Sequence, residues 1–437
     1  ELHLRSVTLT AKDKICLCET RECTPEACPY ANGYYARIKG ALWDVLDVPC
    51  LTAETLQEYA ERHTVCPFEL GLDSSLWSDV IIGDYNYLFD PVVHLVRFFE
   101  SAGDYIFLVD EAHNLPGRAR EMHSAALTKT SFYEAKKLLG KGKSSLKNAL
   151  TKVNDVFIEW RHRAEEETAA RDGRFGKTFF LKERSEEFDH LLNRLCEPLE
   201  AWLDDHREPD EIHTALLQLY FDVRAWLRVA DTFDDHFVLQ ITASGSEVRA
   251  AQLCLDPSAF LADSFALGRA AVLFSATLAP ASYYKDLCGV PEARAVALRS
   301  PFPAGNQGLF CIGNVSTRYK DRDASLAIVE ESLATMVRAR CGNYLAFFPS
   351  YVYMEQAYAQ FKEHCPEINC IKQENAMDEQ QKAAFLAQFV PGPSQPLLGF
   401  AVMGGVFGEG VDLTGDRLIG VGIVGPGLPQ VGPRQEQ

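Results

Sequence analysis

No apolar run in this sequence reaches the ~18 residues that a membrane-spanning helix needs, so no contact with a membrane is expected. Also missing is any Gly-x-x-x-x-Gly-Lys-Ser/Thr loop, the backbone cradle for a nucleotide's phosphates. Two fragments imitate it, Gly140-Lys-Gly-Lys-Ser144 and Gly176-Lys177-Thr178. Five positions before their Gly-Lys stand Lys137 and Arg171 where glycine is required, and neither follows a strand. They read as basic loops. No Gln-x-x-Gly-Arg-x-x-Arg occurs, and there is no internal repeat or low-complexity tract. Positive charge is short: 43 Lys and Arg face 61 Asp and Glu, for a net charge of −18. That balance argues against an indiscriminate polyanion binder. It leaves room for a local basic groove, because affinity for phosphates depends on where the cations lie. Residue 1 is Glu, with no basic segment or signal-like stretch after it, and Val431–Gln437 completes neither a helix nor a strand. The chain is expected to be an excised piece of a longer protein.

What is present is an ordinary globular composition, 47% hydrophobic and 24% charged, over 437 residues, a length for two to four domains. The 13 cysteines are unevenly spread. Cys16, Cys18, Cys23, Cys28, Cys50 and Cys66 crowd the first 66 residues, while scattered ones such as Cys196, Cys254 and Cys288 read as small buried hydrophobes. An odd total without a secretory signal fits a reducing cytoplasm, where clustered thiols mean metal or redox chemistry rather than disulfides. Cys16, Cys23, Cys28 and Cys66, with six, four and 37 residues between them, could hold a tetrahedral Zn²⁺ or a 4Fe–4S cluster. The spacing lacks the paired Cys-x-x-Cys of a zinc ribbon and does not choose between the two. Cys16 and Cys18 are only two residues apart, so one of them is expected to ligate and the other not.

Along the chain, Ser6–Thr10 is β-prone. Helices are expected over Tyr34–Val45 and Ala53–His63, the latter capped by Thr52. Ser78–Gly83 reads as a buried strand, Asp84–Pro91 as an aromatic turn, Pro91–Glu100 as a short helix and Tyr105–Val109 as a strand. Residues 118–237 carry helical periodicity and little strand signal. Strand-like text returns at His236–Ile241, Glu247–Leu255 and Ala270–Phe274. The strand before the insert and one after it are expected to share a sheet. From about Phe310, strands at Asn343–Phe348, Pro396–Val402 and Arg417–Ile423 alternate with helices at Tyr351–His364 and Asp378–Phe389, a pattern for a parallel sheet with helices on both faces.

The chemistry concentrates at residues 106–113, Ile-Phe-Leu-Val-Asp-Glu-Ala-His. An apolar strand ends abruptly in two carboxylates, at the edge where parallel sheets place their sites. Such a pair suits a Mg²⁺–nucleotide: Asp110 holds the metal and Glu111 polarises a water for attack on the γ-phosphate. A polar turn after a strand is the bland alternative. Ser275-Ala276-Thr277, after its own apolar run, could hydrogen-bond the acidic side chains, or could simply cap a helix. Gly404–Asp412 is glycine-rich with Glu409 and Asp412, able to bring backbone N–H groups close to a phosphate or to form a plain turn.

Asp110-Glu-Ala-His113 resembles the Walker B box of DEAH-type helicases. The ordered set of four cysteines, Asp84-Tyr-Asn-Tyr-Leu-Phe-Asp-Pro91, Asp110–His113, a helical insert, Ser275–Thr277 and Gly404–Asp412 resembles the XPD/DinG family of superfamily 2 DNA helicases, bacterial branch. Thr10–Cys16, Cys28–Gly33 and Cys66–Glu69 strengthen the match. The resemblance implies an α/β protein with two RecA-like parallel-sheet motor domains, both incomplete here. The first motor domain would span 1–117, with an iron–sulfur insert at about 11–72. A helical arch would span 118–237, the first motor domain would resume over 238–283, and the second would span 284–437. It further implies a 4Fe–4S cluster on Cys16, Cys23, Cys28 and Cys66, Mg²⁺ on Asp110, and ATP as substrate. Glu111 would activate water, and His113, Ser275 and Thr277 would link the nucleotide to domain motion. Glu409, Gly410 and Asp412 would face nucleotide or DNA, and the protein would unwind forked or single-strand-bearing DNA 5′→3′ as a monomer in repair or replication. Tyr85 and Tyr87 could stack on bases or belong to the core. The family's phosphate loop and arginine finger are expected before Glu1 and after Gln437, and without them this stretch should hydrolyse ATP scarcely. Pro426 replaces a residue expected to donate its N–H. The rival reading is a metal-stapled, non-enzymatic module that binds nucleic acid or protein.

Overall fold

Three short strands open the chain: β1 (Ser6–Thr8), β2 (Cys50–Leu51) and β3 (Val80–Ile82) form a parallel sheet in the order β2-β1-β3. The computed structural model describes residues 3–141, 144–169, 177–207 and 210–427. The C-terminal stretch Val431–Gln437, Gly176 and part of the Gly140–Ser144 loop lie outside them. The chain divides into two units, Glu1–Ala297 and Leu298–Gln437.

Between β1 and β3, the cysteine-rich segment packs two helices, Tyr34–Val45 and Ala53–His63, at the expected bounds. The first buries Tyr34, Ile38, Ala41 and Val45, one helical stripe, against Leu56, Ala60 and Leu70. The second starts where the Thr52 hydroxyl accepts the Thr55 N–H at 3.3 Å and stops where Thr64 turns left-handed at φ 55°.

β4 (Ile106–Val109) pairs in parallel with β9 (Ala270–Leu273), so the strand before the insert and the one after it do share a sheet. The expectation of buried strands fails here. Ile106 and Leu108 are 64% and 68% exposed, and Ile81 and Ile82 of β3 are exposed as well. Only one face is covered: Val109 packs with Phe89, Ala112, Leu115, Leu261 and Phe265, and no helix among the described residues lies on the other face. The expected helix at Pro91–Glu100 contracts to Val96–Phe99, and Asp84–Pro91 contains a helical turn at Asn86–Phe89.

The insert carries more strand than its periodicity suggests. β5 (Ala125–Thr128), β6 (Lys177–Leu181), β7 (Phe237–Ser244) and β8 (Glu247–Cys254) form an antiparallel sheet, order β5-β8-β7-β6. This sheet runs to Cys254, past residue 237, where the sequence suggested that the motor domain resumes. The helix Ser145–Ala169 lays Leu146, Leu150, Val153, Phe157, Trp160 and Ala164 into its core at alternating spacings of four and three. The helices Lys129–Leu138, Glu186–Asp205 and Glu211–Thr232 add Phe132, Phe188 and Trp226. Lys177 and Thr178, part of one phosphate-loop imitation, lie in β6, so that fragment is strand and not a cradle.

The second unit is a four-stranded parallel sheet, with β10 (Asn343–Phe348), β11 (Asn369–Lys372), β12 (Leu397–Val402) and β13 (Gly420–Ile423) in the order β11-β12-β10-β13. The helices Arg322–Ala339 and Tyr351–His364 cover one face through Val329, Leu333, Tyr353 and Phe361. The helix Glu379–Ala387 and Phe389 cover the other through Phe385, Leu345 and Leu397. Asp378 and Gln381 form a reciprocal capping box at that helix's start. Among the described residues no helix is long and apolar enough to cross a membrane.

Candidate active site

β4 delivers Asp110 and Glu111 to its carboxyl end, and β9 delivers Ser275 and Thr277 beside them. Two backbone bonds join the strand ends: Phe274 N–H donates to Val109 O at 3.0 Å, and Ala112 N–H donates to Phe274 O at 3.1 Å. Glu111 is left-handed, φ 44°, a conformation that costs a side-chain-bearing residue about 1–2 kcal/mol unless its surroundings hold it. Its N–H donates to Asp110 Oδ1 at 2.7 Å. The Tyr85 hydroxyl donates to Glu111 O at 3.0 Å and also lies on Asp110 O.

Ser275 Oγ sits 3.1 Å from Glu111 Oε2, 2.8 Å from His113 Nδ1 and 3.2 Å from the Thr277 nitrogen, which donates to it. Ser275 has one hydroxyl proton. Given to Glu111, it leaves Ser275 to accept from His113, which places that histidine's proton on Nδ1. His113 Nδ1 is also 3.3 Å from Glu111 Oε2. Thr277 Oγ1 joins at 3.4 Å. Neither hydroxyl caps a helix, since the next one starts at Ala281 behind Pro280. The bland reading of Ser275–Thr277 therefore fails. The exposed Asp110 carboxylate beside this cluster offers hard oxygen donors suited to Mg²⁺.

The remaining nominated residues lie elsewhere. Glu409, Gly410 and Asp412 are exposed in the second unit, on the loop after β12, where Gly404 and Gly410 are left-handed at φ 69° and 70°. That loop is turned tightly by Gly405 N–H on Val402 O and Gly408 N–H on Gly405 O. Tyr87 is packed against Gly83 and the core of the cysteine segment, so its ring already has protein neighbours. Tyr85 meets Phe89 edge-on with 6.3 Å between ring centroids.

The thiols gather differently from the expected set. Cys18 Sγ lies 3.9 Å from Cys28 Sγ, and burial together with Cys28 and Cys16 pushes the Cys18 thiol up to about 11. Cys23 is exposed, and Cys66 stands at the start of the helix Pro67–Ser74, its thiol raised by burial. Four thiols are chemically suited to iron or zinc. Among the described residues, however, no group of three or more His, Cys, Asp or Glu side chains is spaced to hold an ion. Cys16, Cys23, Cys28 and Cys66 are thus not drawn together as a closed metal site in this structure.

Two protein families match the chain: DEAD_2 over residues 3–132 and the helicase C-terminal domain over residues 333–437. The chain is 22% identical over 429 residues to the ATP-dependent DNA helicase CHL1 of Coccidioides immitis, covering 86% of this chain and 49% of that protein. It is 24% identical over 383 residues to the general transcription and DNA repair factor IIH helicase subunit XPD of Schizosaccharomyces pombe, covering 71% and 49%. A solved XPD helicase structure superimposes with a TM-score of 0.50 at 16% identity, over 96% of this chain and 77% of that one. The chain carries a DEAD_2 region and a helicase C-terminal region and is similar to XPD-like superfamily 2 helicases. It spans about half the length of these two curated relatives. The fold of this XPD-like chain is α/β, consistent with RecA-like motor domains.

Two features of the XPD-like site escaped the sequence. The contact of Tyr85 with the acidic box was one; its only signal was an aromatic placed just past a parallel strand, where sites form. Cys18 was the other, set aside because it stands only two residues from Cys16. The bends and turns between Cys16 and Gly33 bring Cys18 Sγ up to Cys28 Sγ.

Proposed function

We propose that this chain is the motor core of an ATP-dependent DNA helicase. The observation that carries the reading is the cluster of Glu111, His113 and Ser275, drawn from positions more than 160 residues apart onto one carboxylate. Asp110 would hold Mg²⁺, which neutralises developing charge on the phosphates when bound. Glu111, oriented by Ser275 and His113, takes the proton of the attacking water. Ser275 and Thr277 sense the nucleotide's state through that carboxylate, and Glu409, Gly410 and Asp412 face nucleotide or DNA from the second unit. Asp110–His113 acts as a DEAH box. The spacing of Cys16, Cys23, Cys28 and Cys66 and the family resemblance support a 4Fe–4S cluster on these thiols, which would have to draw together from the positions described above. The substrate is forked or single-strand-bearing DNA unwound 5′→3′, in repair or replication, by a cytoplasmic monomer of the bacterial branch; the resemblance supports each of these.

Glu111→Gln in the full-length protein tests the reading: it should bind ATP and fail to turn it over, whereas normal turnover would remove Glu111 from its role. Protein purified without oxygen should be brown, with absorbance near about 400 nm, as expected of a thiolate-bound iron–sulfur centre. A colourless protein with one stoichiometric zinc would overturn the cluster.

A further inference from the structure

We infer that Tyr85 is a positioning residue for the hydrolytic carboxylate, which rests on the reading of Glu111 as the water-activating base. Tyr85 follows β3 and reaches the acidic box from a different strand end. Its hydroxyl donates to Glu111 O at 3.0 Å and touches Asp110 O, the two carbonyls that flank the left-handed residue.

The geometry at Glu111 needs this support. A left-handed glutamate is sparsely populated, and such a residue persists at a site only when its surroundings over-determine it. Four restraints act here. Asp110 Oδ1 takes the Glu111 N–H, Phe274 O takes the Ala112 N–H, the Asn114 N–H donates to Glu111 O at 2.9 Å, and the Tyr85 hydroxyl lies on both Glu111 O and Asp110 O. The Tyr85 hydroxyl is the partner of the Asp110 carbonyl and shares the Glu111 carbonyl with Asn114. With both peptide planes fixed, the Glu111 side chain leaves the backbone toward Ser275 Oγ and His113 Nδ1. Without the hydroxyl the Asp110–Glu111 plane loses its carbonyl partner, and the carboxylate loses part of its aim at the attacking water. A displacement of about 1 Å at a catalytic group can cost as much as ~100-fold in rate.

The ring is anchored independently of the hydroxyl. Tyr85 packs edge-on against Phe89, which packs edge-on against Phe265 at 5.4 Å. Tyr85→Phe therefore keeps the packing and deletes only the donor.

The experiment uses the full-length protein with DNA-stimulated ATP hydrolysis, comparing wild type, Tyr85→Phe, Glu111→Gln and the double variant. Tyr85→Phe should lower kcat about tenfold, with KM for ATP and the melting temperature unchanged. In the Glu111→Gln background, Tyr85→Phe should cause no further loss, because a residue acting only through Glu111 has nothing left to position. A fall in melting temperature and a rise in KM with kcat intact would show a merely structural tyrosine. Additive losses in the double variant would overturn the coupling. Inactive Glu111→Gln alongside wild-type kinetics for Tyr85→Phe would sink this inference alone, while active Glu111→Gln would sink the catalytic reading beneath it as well.

Discussion

His113 Nδ1 and Ser275 Oγ, 162 positions apart in sequence, meet at 2.8 Å, and the same hydroxyl reaches Glu111 Oε2 at 3.1 Å. Ser275 is thus the joint between the acidic box and the end of β9. Ser275→Ala removes one donor to the carboxylate and one acceptor from the imidazole. ATP binding should be retained and kcat should fall by about tenfold, the scale of a lost orienting hydrogen bond. Equilibrium binding of a fluorescent ATP analogue, run beside steady-state hydrolysis, checks both halves. Loss of binding with unchanged kcat would be the wrong outcome.

Thiol reactivity should sort by burial. Burial alone pushes Cys288 up to about 11, and mainly burial pushes Cys254 up to about 12, whereas Cys50 and Cys311 are exposed. At pH 8 a thiol titrating near those values holds only about one thiolate in a thousand or fewer. Brief alkylation of the native protein followed by peptide mass spectrometry should mark Cys50 and Cys311 and leave Cys254 and Cys288 unmodified until denaturant is added.

Asp189 is buried in the inserted domain, its Oδ1 accepting the Trp226 indole N–H at 2.8 Å. Burial raises its carboxyl above the ordinary value, and the Trp226 bond and Arg184 offset only part of that. A carboxyl raised in the folded state binds its proton more tightly there than when unfolded. Its penalty is therefore fully present above the raised value and is relieved as pH falls through it toward the unfolded value. Asp189→Asn does not titrate. The melting temperature of Asp189→Asn minus that of wild type should shrink as pH falls from neutral toward the ordinary carboxyl value of 3.8; a constant or growing difference would contradict the buried-carboxyl account.

In the second unit, fully buried Asn343 donates Nδ2 to Val390 O at 2.7 Å and to Arg417 O at 3.0 Å, tying the start of β10 to the ends of two loops. Asn343→Ala strands both carbonyls and should destabilise by about 2–3 kcal/mol. Urea unfolding followed by circular dichroism measures it, and a loss below about 0.5 kcal/mol would mean that water replaces the amide.

Elements whose signals are local were legible in the sequence. Thr52 with Ala53–His63, and Asp378 with the helix it caps, show their start signals within four residues. The parallel sheet of the second unit was legible in strands that alternate with helices, and so was the shared sheet of β4 and β9. The antiparallel pairing inside the insert was not legible. Ala125–Thr128 is too short and mixed to announce a strand, and becomes one only because β8 offers it a ladder. The acidic box stood out only as the whole run Asp110-Glu-Ala-His113 after an apolar strand, since Asp110 and Glu111 alone read as a polar turn. Which side chains hold it was not readable, because the Tyr85 contact depends on where β3 ends relative to β4, and no periodicity encodes that. The thiols show the same limit: spacing proposes ligands, and the turn geometry decides which sulfurs meet.

The inserted antiparallel sheet has a consequence for how the chain folds. β4 and β9 must find each other across about 160 residues, and closing a loop carries an entropy cost that grows with the logarithm of its length. β5 pairs with β8, bringing residues 125–128 against 249–252. Once the insert has formed, only two short connectors separate its ends from β4 and β9. An insert that completes its own core first would hand β4 and β9 to each other at short range. Pulse-labelling hydrogen exchange should show amides of β7 and β8 protected before those of β4 and β9.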